Sequence, residues 1–337
     1  MTPLELMRRA LAESAAAQPL STPNPPVGAV IADRDGNIIA VGHTQRAGGP
    51  HAEIVALTAA GERARGATAY VTLEPCNHTG RTGPCVRALI DAGIAAVQYA
   101  LADPNPSAAG GSATLQAAGV AVAAGLAADE VETGPLRAWL HRQRTGRPFV
   151  TAKFAATLDG RSAAPDGTSQ WITGAQARAH VHAERARIDA IIVGTGTVLT
   201  DDPSLTARRP DGTLSPYQPL RVVLGNREIP PTAKVLDANA PTLVLRTRDL
   251  STALAQLAEL ANVQVEGGPQ LLGAFAAAGL VDRVHAYLAP ALLGAGTAAL
   301  QDPAVRTLSD IRRFRRESIT ELGEDILLTL VRAGAAA

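Results

Sequence analysis

A chain of 337 residues is long for a single core, so two domains of ordinary size are expected. Its 31 lysines and arginines balance 31 aspartates and glutamates, and a formal charge of zero lacks the basic footprint of sequence-independent nucleic-acid binding. At 46% hydrophobic and 18% charged the composition is globular, and the longest uncharged run, residues 104–128, is too broken by Asn105, Pro106 and Gln116 to span a bilayer.

Leu4, Met7 and Leu11 share one helical face in a charge-dotted segment over 1–17. That is not the pattern of a secretory signal, and a cytoplasmic protein is expected. Apolar runs over 27–32 and 38–41, separated by Asp33-Arg34-Asp35-Gly36-Asn37, predict a hairpin. A helix over 51–60 and a strand over 69–73 follow. Pro84 marks the first turn of another helix, with Val86, Leu89 and Ile90 on its apolar face. A strand over 95–101, a helix over 112–118 and a strand over 120–123 complete a layered α/β unit. Residues 142–148, charged and ending in Gly146-Arg147-Pro148, read as a linker and suggest domains over 1–145 and 146–337.

Beyond it, strands are expected over 149–154, 189–193, 220–224, 242–245, 263–266, 284–288 and 326–331. Helices are expected over 175–187, 250–260 and 270–278, giving a second α/β core. Arg312-Arg313-Phe314-Arg315-Arg316 reads as a solvated surface run. No internal repeat relates the two halves.

His51-Ala52-Glu53, then Pro75-Cys76 and Cys85, carries the chemistry. One imidazole and two thiolates hold three corners of a zinc tetrahedron and leave the fourth for water, as catalytic sites do. Glu53 is suited to move that water's proton, the pattern of zinc deaminases acting on nucleobases. A disulfide between the only two cysteines lacks an oxidising compartment. A closed structural site would need His78 as its fourth ligand. The nine-residue step from Cys76 to Cys85 is wider than the Cys-x-x-Cys of nucleic-acid deaminases and places a polar loop, residues 77–84, beside the metal.

Several motifs in fixed order then carry a family resemblance. They are Pro23-Asn24-Pro25-Pro26-Val27-Gly28, His51-Ala52-Glu53, Thr72-Leu73-Glu74-Pro75-Cys76-Asn77-His78-Thr79-Gly80-Arg81-Thr82 and Asp103-Pro104-Asn105-Pro106. The second half adds Leu158-Asp159-Gly160-Arg161, Gln170-Trp171-Ile172-Thr173-Gly174, Gly194-Thr195-Gly196-Thr197 through Asp201-Asp202-Pro203, and Glu266-Gly267-Gly268-Pro269. Together they resemble the bifunctional deaminase/reductases of riboflavin biosynthesis, essentially end to end.

The resemblance implies a cytidine-deaminase-like three-layer α/β/α domain followed by a dihydrofolate-reductase-like α/β domain. It implies zinc deamination of a diaminopyrimidinone ribosylamine 5′-phosphate, then NADPH reduction of the ribosyl group to ribityl. It assigns His51, Cys76 and Cys85 to zinc and Glu53 to the proton. Asn24, His43, His78, Arg81, Asp103 and Asn105 would line the deaminase pocket, although Asn24 and Asn105, flanked by prolines, also fit plain turns. Lys153, Ser169, Arg185, Leu205, Arg208 and Glu266 would meet the reductase substrate. NADPH would lie near Ala155, Trp171, Thr197, Asp201, Gly268, Pro269, Gln270, Leu271, Leu272, Gly273 and Ala274. A homo-oligomer joined through the reductase half is also implied, without nucleic-acid or membrane partners.

The second half has no Gly-x-Gly-x-x-Gly after a strand, so a Rossmann dinucleotide fold is not expected. Lys153, Asp201 and Glu266 all remain open as the proton group of the reduction. The chain also departs from its relatives' usual pattern: Gly225-Asn226 stands where an aspartate is common, and Gly111 where a basic residue is. The first departure leaves open a second domain that binds without reducing.

Overall fold

The structure, a computed structural model, describes residues 1–78 and 83–333. The chain divides after Arg147 into two compact units.

The first unit opens with α1 (Pro3–Ala17). Its first turn is closed by a capping box in which Thr2 Oγ1 accepts from the Glu5 amide and Glu5 accepts from the Thr2 amide. Then come β1 (Gly28–Ala32), β2 (Ile38–His43), α2 (Ala52–Ala60) and β3 (Thr68–Leu73). The unit continues with α3 (Cys85–Asp91), β4 (Ala96–Leu101), α4 (Gly111–Ala117), β5 (Ala121–Ala124), α5 (Ala128–Glu132) and α6 (Arg137–Thr145).

The sheet order is β2-β1-β3-β4-β5. Strand β1 runs antiparallel to both neighbours, while β3, β4 and β5 are parallel. Every residue of β1 and all but the first of β3 are buried, as central strands covered on both faces require. The expected hairpin over 27–41 is β1–β2.

Residues 142–145 are not linker. They are the last turn of α6, which buries Ala138, Trp139 and Leu140 and is closed by Gly146 at φ +72. Arg142 and Arg144 sit at its C-terminal end, where cations suit the helix dipole.

The second unit begins with β6 (Phe149–Thr157), β7 (Arg161–Ala163), α7 (Ala175–Arg185), β8 (Ala190–Gly194), α8 (Thr195–Asp201) and β9 (Leu220–Leu224). It continues with β10 (Thr242–Leu245), α9 (Leu250–Ala255), β11 (Asn262–Val265), α10 (Pro269–Ala277), β12 (Arg283–Ala289), β13 (Thr297–Ala298), β14 (Phe314–Leu322) and β15 (Asp325–Arg332). Its main sheet runs β10-β9-β8-β11-β6-β12-β15-β14, with β10 through β12 parallel and the last two strands antiparallel. Short β7 and β13 pair separately.

Several elements were hidden in the sequence. The Gly-Thr-Gly-Thr stretch is not only a turn but opens α8. The arginine run is exposed as expected, yet it enters β14, an edge strand with seven consecutive exposed residues.

Candidate active sites

In the first unit, His51 is the N-cap residue of α2, Cys76 leaves β3 after Glu74-Pro75, and Cys85 is the first residue of α3. Three elements thus converge. His51 Nδ1 lies 3.3 Å from Cys85 Sγ and 3.5 Å from Cys76 Sγ, and the ligand atoms of all three lie within 4.8 Å of one another. The cysteines are free and buried, and among the described residues no further His, Cys, Asp or Glu joins them.

One nitrogen and two sulfurs with an open fourth corner fit zinc. A hydrogen bond from Cys85 holds the Cys76 thiol down at about 4, while the same pairing pushes Cys85 up. The pair therefore keeps one proton that a divalent cation displaces. Glu53, in the first turn of α2, is 5% exposed. Burial, then the negative Cys76, pushes its carboxyl up to about 7.

His43 ends β2, and its Nδ1 lies 3.0 Å from Glu13 Oε2 on α1; Glu13 is in turn paired with Arg9 at 2.6 Å. Asp103 and Asn105 share the loop after β4. Asp103 Oδ1 accepts from the Asn105 amide at 2.9 Å, and Asn105 Oδ1 accepts from the Ser107 amide at 3.1 Å, so these side chains also shape their own turn. Burial pushes the Asp103 carboxyl up. Asn24 donates its backbone N–H to Ser21 O in a turn. His78 is half-buried two residues after Cys76. Arg81 lies outside the described residues.

Sequence reasoning missed Glu74. Its buried carboxylate accepts from Ser112 N and Oγ, both at 2.9 Å, and from the Asp103 amide at 3.3 Å. It therefore fastens the 103–105 loop and α4 to the segment carrying Cys76. Its place directly before Pro75-Cys76 was the available signal. Gly111 is explained by the same packing: a Cβ there would meet Pro75 O at 2.0 Å, so a basic side chain has no room.

The second unit holds a cavity of about 690 Å³. All six residues expected at the reductase substrate line it: Lys153, Ser169, Arg185, Leu205, Arg208 and Glu266. So do Ala155, Trp171, Thr197 and Asp201. Gly268 reaches it indirectly, donating its amide to Thr197 Oγ1 at 3.1 Å. Pro269, Gln270, Leu271, Leu272, Gly273 and Ala274 begin α10 and do not line the cavity; Leu272 and Gly273 are buried, and a Cβ at Gly273 would strike Gln301 O.

Arg185 binds Glu266 with Nε to Oε1 at 2.9 Å and Nη2 to Oε2 at 2.8 Å. Lys153 Nζ is 3.5 Å from the same carboxylate, and Gln264 donates to Oε1 at 2.8 Å. Burial alone would raise Glu266, but Arg185 and Lys153 outweigh it and hold the carboxyl well below the usual range. Burial lowers Lys153, partly offset by Glu266. Trp171 stands 70% exposed at the cavity with the Arg178 guanidinium 4.5 Å from its ring centre. Cationic side chains outnumber carboxylates on the walls: Lys153, Arg178, Arg185, Arg208, Arg209 and Lys234 against Asp201, Asp202 and Glu266.

Gly225 is required where it stands. Its φ is +130, and a Cβ there would sit 2.6 Å from Thr195 Oγ1 at the start of α8.

An open His-Cys-Cys site with a buried glutamate, followed by a separate α/β unit around a basic cavity, defines a zinc-dependent deaminase fused to a reductase. The profile of the cytidine and deoxycytidylate deaminase zinc-binding region matches residues 2–101, and that of the RibD C-terminal domain matches 148–328. The riboflavin biosynthesis protein RibD of Mycobacterium tuberculosis is 52% identical over 97% of this chain and 96% of its own. The solved RibD of Acinetobacter baumannii is 37% identical with a TM-score of 0.88, covering 98% of this chain and 99% of that one. A Thermotoga maritima structure described as a diaminohydroxyphosphoribosylaminopyrimidine deaminase/5-amino-6-(5-phosphoribosylamino)uracil reductase is 31% identical at the same TM-score and coverage. The chain belongs to the RibD family, the bifunctional zinc deaminases and NADPH-dependent reductases of riboflavin biosynthesis. No helix among the described residues is long and apolar enough to cross a membrane.

Proposed function

We propose that the first unit hydrolytically removes the 2-amino group of a diaminopyrimidinone ribosylamine 5′-phosphate, and that the second reduces the ribosyl group of the product to ribityl. The observation that carries this reading is the open cluster of His51, Cys76 and Cys85 beside buried Glu53. Those three residues would hold zinc, which would acidify a water towards neutral pH. Glu53 carries one proton of the attacking water to the ring nitrogen and the other to the departing amine, a double role suited to a carboxyl near 7. His43, held through Glu13, and the loop fastened by Glu74 present the polar groups that read the pyrimidine.

In the second unit NADPH supplies the hydride. The excess of cations on the cavity wall suits a phosphorylated substrate and a dinucleotide. Of the three candidates for the proton, Glu266 is kept ionised by Arg185 and serves as an anchor. Lys153, half-buried and shifted down, is the group we assign to proton delivery. Thr197 and Gly268, bonded to each other where α8 and α10 begin, support the cofactor's phosphates.

Exposed apolar residues support a homo-oligomer joined through this unit: Leu308, Ile311 and Ile319 are 87%, 51% and 54% exposed. Free thiols as metal ligands and the demand for NADPH favour the cytoplasm.

The test is incubation of the whole chain with the diaminopyrimidinone phosphate, with products followed by mass spectrometry. Without NADPH the deaminated ribosyl compound is expected; with it, the ribityl compound. No ammonia release in zinc-replete protein would refute the first step. No NADPH oxidation on supplied intermediate would favour a second unit that binds without reducing.

A further inference from the structure

Helix α7 turns Arg178, His182 and Arg185 towards the reductase cavity at helical spacing. The arginines suit anionic groups. His182 is unlike them and has no part in the chemistry assigned above.

Its Nδ1 lies 3.1 Å from Thr206 O, which also accepts from Arg185 Nη1 at 3.2 Å. A carbonyl only accepts, so Nδ1 carries the hydrogen and Nε2 of the neutral ring is left with its lone pair. No bond to Nε2 forms among the described residues. Leu205, directly before Thr206, is held at φ +54, which a branched side chain rarely adopts. The chain is thus strained where its carbonyl fixes the ring.

Two of the three carboxylates on the cavity wall, Glu266 and Asp202, are already engaged, Asp201 being the third. Both Glu266 oxygens are engaged by Arg185, and Asp202 accepts from the Lys234 amide and pairs with its ammonium. A ribosylaminouracil, by contrast, brings hydroxyl and N–H donors as well as its phosphate.

We infer that His182 is a substrate-contacting specificity residue, whose Nε2 accepts a hydrogen bond from a hydroxyl or ring N–H of the reductase substrate. This rests on the assignment of the reduction to this cavity. The groups that face the ring are Arg185 on its own helix, Glu266 after β11, and Arg208 and the Thr206 carbonyl on the loop after α8. Burial, then Arg185, holds the imidazole below its ordinary range, so it is neutral at pH 7. Protonation would turn the acceptor into a donor beside two guanidinium groups.

The experiment uses the full chain with 5-amino-6-(5-phosphoribosylamino)uracil. Reduction is followed by NADPH absorbance, and substrate binding to NADP⁺-loaded protein by calorimetry. His182→Leu is expected to weaken binding and raise KM roughly tenfold with kcat little changed, as for one lost hydrogen bond. His182→Gln, which keeps an acceptor oxygen, should recover most of it. In the wild type KM should climb at acid pH, and that rise should be missing in His182→Gln. Unchanged binding in His182→Leu, or an acid rise persisting in His182→Gln, would overturn the inference. Denaturant unfolding of the second unit and the retained affinity for NADP⁺ report that each variant is folded. Glu266→Gln separates the two assignments: if it impairs reduction while His182→Leu does not, only His182 is wrong, and if neither impairs it, the cavity is.

Discussion

Arg185 and Glu266 meet as two parallel hydrogen bonds at 2.9 and 2.8 Å, with side chains 14% and 6% exposed. Removing one member of such a pair strands a buried charge, at a cost of about 3–5 kcal/mol. Arg185→Met is therefore expected to lower the unfolding free energy of the second unit by about that much and to abolish reduction. Ammonia release by the first unit should survive. Denaturant unfolding followed with both activities checks this. The acid response has a definite sign. Glu266 is held below its unfolded value, so its stabilisation is present above the ordinary carboxylate range and fades as pH falls through the native value. Glu266→Gln should flatten that acid limb.

Glu53→Gln keeps the shape of the side chain and removes its charge. Zinc content, measured by metal analysis, should be unchanged because the residue is not among the three converging donors. Ammonia release should fall by about 10²–10⁴, the usual worth of a positioned general acid/base. Release at the wild-type rate would remove Glu53 from the proton path.

Chelation should divide the two activities. The zinc donors belong to the first unit, whereas the cavity with Lys153, Arg185 and Glu266 belongs to the second. A strong chelator, or Cys85→Ser, is expected to stop ammonia release while NADPH oxidation on supplied intermediate continues. Loss of both would place a metal requirement in the reductase half.

What the sequence disclosed follows from how local each signal is. His51, Cys76 and Cys85 were legible because ligand spacing restricts residue types strongly, and the β/α alternation because buried strands leave apolar runs such as 190–193. Helix α6 was obscured because its buried residues, Ala138, Trp139 and Leu140, come early and its visible end is charged. The bonds from Glu13 to His43 and from Glu74 to Ser112 and Asp103 join residues about 30 or more positions apart, which periodicity cannot report. His182 was invisible for a related reason. Its role depends on a carbonyl in another segment that fixes which nitrogen carries the hydrogen.

Gly225 offers a last test, since aspartate there is a substitution the local packing resists. A side chain at φ +130 is strained before it touches anything, and its Cβ would lie 2.6 Å from Thr195 Oγ1 and 3.3 Å from Thr195 Cγ2. Thr195 is 5% exposed and begins α8, which also carries Thr197, so it has little room to yield. Gly225→Asp is expected to cost about 1–3 kcal/mol of stability in the second unit, the usual worth of one strained residue. Displacing Thr195 should also disturb the Thr197–Gly268 bond and raise KM for NADPH, with deamination unaffected. Thermal unfolding and NADPH titration would read both effects. Wild-type stability with an unchanged KM would mean that this turn can rearrange, and that glycine here is tolerated and not demanded.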